Sequence, residues 1–166
     1  FIVVIMTLTF NAFAQKKLLI YNFSSYDVSV SDIMTKHTTN AYPNVTDYVA
    51  DTLIPAGDYL ELYTGHASRF PFNGLDTSSL LIIPTWVVQT SATNYTSASN
   101  NANAVALAYG SNQIFHCIKY YDSFESGILG TSPLGSNEVI LTQTTGFYEE
   151  FVSGTLVEYT LVIVDN

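Results

Sequence analysis

The run Thr155–Val164 constrains this chain more than any other stretch. Val157, Tyr159, Leu161 and Ile163 recur at every second position, opposite Glu158 and Thr160, which is the side-chain period of a β-strand. Val162 and Val164 make the second face partly apolar as well. A strand with both faces to cover belongs in the middle of a sheet, so the rest of the chain must supply its neighbours.

The remaining sequence reads mostly as strand and turn. Leu18–Phe23 is apolar-rich, and in Tyr26–Ile33 the residues Tyr26, Val28 and Val30 alternate with Asp27, Ser29 and Ser31, the pattern of a half-buried strand. The pattern lapses into loop composition from Met34 to Asn44. Tyr48–Ile54 and Asp58–Thr64 flank Pro55-Ala56-Gly57, where Pro presets a turn and Gly can take the left-handed position, so a three-residue hairpin is predicted. Leu80–Val88 reads as a strand with a bulge or edge at Pro84 and with Trp86 in the core. Gln89–Asn103, rich in Ser, Thr, Asn and Ala, reads as an exposed loop. Ala104–Tyr109 and Gln113–Tyr121 are predicted strands joined by a turn at Gly110-Ser111-Asn112. Asp122–Ser136, with its glycines, reads as a loop, Glu138–Thr142 as a short strand, and Gln143–Gly154 as a turn with an acidic aromatic patch. About nine strands with no helical period predict an all-β fold, a single-domain antiparallel β-sandwich of jelly-roll or immunoglobulin-like kind over residues 15–166.

Residues 1–14 carry a different signal. Phe1–Phe10 is apolar apart from two threonines, too short to span a bilayer, and Ala12-Phe13-Ala14 follows as a small-x-small site. Cleavage before Gln15 is expected, with Lys16-Lys17 marking a surface boundary, and the Ala-Gln junction resembles bacterial export signals. The protein is therefore expected to be secreted, outside the cell or in a periplasm, and of bacterial kind, with no stable membrane span.

Composition narrows the partners. Only 11% of the residues are charged, against about 25% in ordinary soluble domains, so the surface must be built from neutral polar groups and tyrosine. The net charge of −9 repels phosphate backbones and anionic lipid, which argues against nucleic acid and against a membrane-acting toxin.

No catalytic residue is nominated. Cys117 is the single cysteine, set among Ile114, Phe115, Ile118 and Tyr120, and reads as a small core hydrophobe. Its neighbour His116 should point to the opposite face of a strand and so form no dyad with it. His37, His66 and His116 lack metal-ligand spacing, so no metal and no cofactor is expected. The pairs Asp47/Asp51, Asp58/Glu61 and Glu149/Glu150 read as solvated carboxylates. Asn22, Asn44 and Asn94 head glycosylation-type triplets that a chain rich in Asn, Ser and Thr produces by chance.

The expected ligand site is the loop Gly65–Gly74. Arg69, the only arginine, stands there with His66, Phe70 and Phe72, close in sequence to Tyr63, and arginine among aromatics is a recognition composition. The function expected is a non-catalytic extracellular module binding a glycan, polymer or protein. The alternatives are a structural protein that self-associates through edge strands and a secreted hydrolase.

Overall fold

The computed structural model describes residues 15–64, 85–97 and 108–166, with backbone alone at 47–51, 63–64, 85–86 and 97. Eleven strands are present among them: β1 (Gln15–Asn22), β2 (Val28–His37), β3 (Asn44–Ile54), β4 (Tyr59–Thr64), β5 (Thr85–Gln89), β6 (Tyr95–Ser97), β7 (Gln113–Tyr121), β8 (Ser126–Gly130), β9 (Glu138–Ile140), β10 (Thr144–Ser153) and β11 (Leu156–Asp165). They form a five-stranded sheet, β4-β1-β11-β10-β9, and a six-stranded sheet, β6-β5-β3-β2-β7-β8. The two pack face to face as an all-β sandwich.

The terminal run holds the central place its pattern requires. β11 lies between β1 and β10, and Tyr159, Leu161 and Ile163 are buried on its inner face. Leu18, Ile20 and Leu62 extend that face across β1 and β4. Opposite them the six-stranded sheet contributes Val30, Ile33, Val45, Phe115, Ile118 and Leu129. The layers meet at rings: Phe115 lies 5.6 Å from Tyr159 and 5.3 Å from Tyr148 between centroids. Fully burying a side chain of this size contributes roughly 2–3 kcal/mol.

Several expectations are corrected. Pro55-Ala56-Gly57 does turn the chain, with Gly57 at φ 77, but it closes no hairpin. β3 pairs with β2 and β5, whereas β4 pairs with β1 in the other sheet, so the turn is a crossover between layers. One pairing, β1 with β11, is parallel, so the sandwich is mostly rather than wholly antiparallel. β2 continues to His37 through the stretch read as loop, because its partners β3 and β7 continue beside it. Tyr95–Ser97, read as loop, pairs with β5.

Of the strand predicted at Ala104–Tyr109, the described residues Ala108 and Tyr109 are helical and lead into a 3-10 turn at Gly110–Asn112. Asp122–Ser136 contains β8, and Gln143–Gly154 is mostly β10. The far half of β10 is exposed, which is why no apolar alternation announced it. Pro84 and the Trp86 side chain lie outside the described residues.

Lys16 does not mark a surface. It is buried, with Nζ donating to the carbonyl of Gln113 at 2.5 Å, and so ties β1 to the start of β7 across the two layers. Burial lowers the pKa of this ammonium from its ordinary value.

Candidate functional site

The outer face of the five-stranded sheet carries a strip of aromatic rings. In β1 the inner positions Leu18 and Ile20 force Lys17, Leu19 and Tyr21 outward. The register then sets Tyr21 beside Tyr59 of β4 and beside Val162 of β11, and Val162 beside Phe147 of β10. At the usual strand spacing of about 4.8 Å this row spans roughly 14 Å.

Rings close the row at one end. Tyr21 and Phe23 are parallel within 11° at 5.4 Å, and Tyr21 and Tyr59 are tilted at 5.9 Å. The outer members of this trio are open to solvent, Phe23 at 61% and Tyr59 at 57%. Each therefore presents aromatic surface that no side chain of the core covers.

What points these rings outward is the residue between two of them. Asn22 is fully buried. Its Nδ2 donates to the carbonyls of Tyr26 at 2.8 Å, Ile54 at 3.0 Å and Pro55 at 3.1 Å. Its Oδ1 accepts from Ser24 N at 3.2 Å and Ser24 Oγ at 2.6 Å. Satisfied this way, a buried amide is stabilising rather than costly. With Asn22 turned inward, Tyr21 and Phe23 must turn out. The bonds to Ile54 and Pro55 also hold the crossover that delivers Tyr59 to its place. An amide so engaged is closed to glycosylation in the folded chain, whereas Asn94 is exposed.

The strip is narrow and polar along its flank. Glu61, Thr160 and Glu149 lie in line with Leu19 in the next row, and Glu61 forms an ion pair with Lys17 at 3.1 Å. Asp58, the other member of that expected carboxylate pair, accepts the N–H of Tyr59 at 2.8 Å. Both carboxylates thus serve the local structure.

Most of the site expected from sequence, His66, Arg69, Phe70 and Phe72, falls outside the described residues. Tyr63 is described by its backbone, which pairs with Lys17 in β4 and β1. Tyr21, Phe23 and Tyr59 carry no motif that singles them out in the sequence, although the outward position of Tyr21 follows from the alternation in β1.

Cys117 is buried, and burial pushes its thiol up to about 12. A thiol so far from ionisation is no nucleophile at neutral pH. Alternation of faces is not what separates it from His116, however. Met34 pairs with Cys117 while the next residue, Thr35, pairs with Phe115. His116 is therefore the extra residue of a β-bulge, and strict alternation of faces fails there. His116 Nδ1 lies instead 2.7 Å from Thr131 Oγ1. Burial and the charge of Lys36 lower the pKa of this imidazole. Among the described residues no helix is long and apolar enough to cross a membrane, and no three His, Cys, Asp or Glu residues gather as metal ligands.

No protein-family model matches this chain, and no curated protein matches it.

Proposed function

We propose that this chain is an exported, non-catalytic module that binds glycan through the aromatic strip Tyr21–Phe23–Tyr59. The observation that carries this reading is the exposure of two rings on either side of Tyr21, Tyr59 paired with it in register and Phe23 stacked on it. Aromatic faces attract the C–H face of a sugar ring, while the Tyr59 hydroxyl and flanking Glu61 offer partners to sugar hydroxyls. A protein partner of ordinary kind needs a broad patch of roughly 800 Å² per side. A narrow strip edged by carboxylates suits an extended chain of sugars better.

Two observations favour binding over the alternatives. The edge strands β6 and β9 have three residues each, β8 five and β4 six, and short edges are poor templates for assembly. The buried thiol beside His116 is protonated at neutral pH, which counts against cysteine chemistry there. Export rests on the apolar run Phe1–Phe10 and the Ala12-Phe13-Ala14 site. Protein recovered from outside the cytoplasm should begin at Gln15; recovery with the apolar run attached contradicts export.

The binding test is affinity electrophoresis through gels containing neutral soluble polysaccharides. Wild type should be retarded by at least one of them. Tyr59→Ala and Phe23→Ala should each lose about tenfold in affinity, corresponding to about 1.4 kcal/mol. Both should melt within a few degrees of wild type, because these rings are exposed. Retardation unchanged in both variants would remove the strip from the account.

A further inference from the structure

A cavity of about 470 Å³ opens on the outer face of the six-stranded sheet, between the end of β2 and loop 131–136. The loop is tied down across β7: Thr131 N donates to the His116 carbonyl at 2.7 Å, and Gly135 N to the Thr131 carbonyl at 3.0 Å. Lys36, His37 and His116 all line the cavity, and none of its described lining residues is Asp or Glu. In a chain with five Lys plus Arg, three His and a net charge of −9, this is a concentration of cationic and N–H donor groups against the overall trend.

Their donors are not matched by acid. Lys36 Nζ donates to Thr131 Oγ1 at 3.0 Å, and an ammonium carries three N–H groups. No carboxylate among the described residues stands within 4.0 Å of it; the ion pair found among them is Lys17–Glu61. His37 Nδ1 accepts the N–H of Thr39 at 3.1 Å and of Asn40 at 3.0 Å, so the proton of the neutral ring sits on Nε2. Thr131 Oγ1 accepts from Lys36 and has one proton to give. Thr131 Oγ1 donates that proton to the His116 carbonyl at 3.1 Å and so accepts from His116 Nδ1–H at 2.7 Å, which fixes the ring against the cavity wall and leaves its Nε2 as an acceptor. The rest of the lining is neutral: Asn40 and Gln89 carry amides, and Leu134 offers an apolar wall. A volume of this size is that of a small-molecule pocket.

We propose that this cavity binds the carboxylate of a sugar acid, with Lys36 as the charge partner, His37 as a ring donor, and Asn40, Gln89 and the accepting Nε2 of His116 facing the hydroxyls. The amides favour this ligand over a simple anion, because their C=O acceptors find partners in sugar hydroxyls and none in an anion without them. The site lies on the sheet opposite the aromatic strip and stands or falls separately from it.

The test is a titration of the full chain followed by the ring resonances of His37 and His116. The probes are D-galacturonate, D-glucuronate, neutral D-galactose and inorganic phosphate. At least one uronate should shift both histidine signals to saturation, while galactose at the same concentration leaves them in place. Lys36→Met should weaken that uronate at least tenfold, and Lys36→Arg should retain most of the affinity. Silence with both uronates, equal effects of galactose, tighter binding of phosphate, or unchanged affinity in Lys36→Met would each overturn the proposal. Should Lys36→Met fail to fold through loss of its bond to Thr131, the comparison of probes on wild type decides alone. Tyr59→Ala should leave these shifts intact, which separates this outcome from that of the strip.

Discussion

Gly130→Ala is expected to lower stability by about 4 kcal/mol, among the largest effects a single methyl group can have. The backbone at Gly130 has φ +147, a region that side-chain-bearing residues rarely adopt. A Cβ there would meet the backbone of β7, 2.6 Å from Cys117 Cα, and would press on the His116 carbonyl as well. Neither is a flexible side chain that can swing aside, so β8 and β7 must part. At about 2–4 °C per kcal/mol for a domain of this size, the melting midpoint should fall by about 8–16 °C. Gly57→Ala is the control. Gly57 also has positive φ, but nothing lies within 4 Å of its added Cβ, and only the conformational cost of about 1 kcal/mol should appear. Equal midpoints for the two variants would show that β7 and β8 yield freely at this contact.

Asn22→Leu is the second large effect, with an expected loss of about 3 kcal/mol. Leucine keeps the branched skeleton and the number of side-chain heavy atoms, so the chief loss is of hydrogen bonds. It strips partners from the carbonyls of Ile54 and Pro55 and from Ser24 N–H, while Ser24 Oγ and the Tyr26 carbonyl keep each other at 3.0 Å. Each polar group left buried and unpaired costs roughly 1–3 kcal/mol, and those near the surface recover part of it from water. Denaturant unfolding measures the loss, and a change below about 1 kcal/mol would mean that the turn re-forms without the amide. Because Asn22 also sets the outward direction of Tyr21 and Phe23, the variant should bind glycan more weakly even under conditions where it remains folded.

These two residues show what was legible in the sequence and what was not. Period-two alternation in Thr155–Val164 located the central strand to within a residue at each end, because one face of that strand is buried and the pattern records it. Pro55-Ala56-Gly57 recorded its own backbone turn correctly. Turn residues do not specify which strands pair, and here the turn changes layers. Glycine misled in Asp122–Ser136. Gly127 and Gly130 mark close approach rather than loop: a Cβ at Gly127 would press on Val139 Cγ1, and one at Gly130 on β7. The bulge at His116 has no sequence signature, yet it places that ring on the cavity wall.

The aromatic strip was half legible. Alternation alone puts Tyr21 outward, but the meeting of Tyr21 with Tyr59 depends on the pairing of β1 with β4, a contact between segments some forty residues apart that local pattern cannot supply. The loop around Arg69 drew notice for the opposite reason, since its composition is conspicuous in one dimension. The described part of the fold brings three rings, Tyr21, Phe23 and Tyr59, together at the end of β1 and the start of β4.

The most direct measurement of the central claim is a map of the aromatic resonances during titration with a polysaccharide fragment that retards the protein in gels. The glycan account predicts that the ring signals of Tyr21, Phe23 and Tyr59 shift together with one saturation curve, and that the core rings Phe115 and Tyr159 stay fixed. Binding that leaves those three signals unmoved, while any other surface responds, would contradict it.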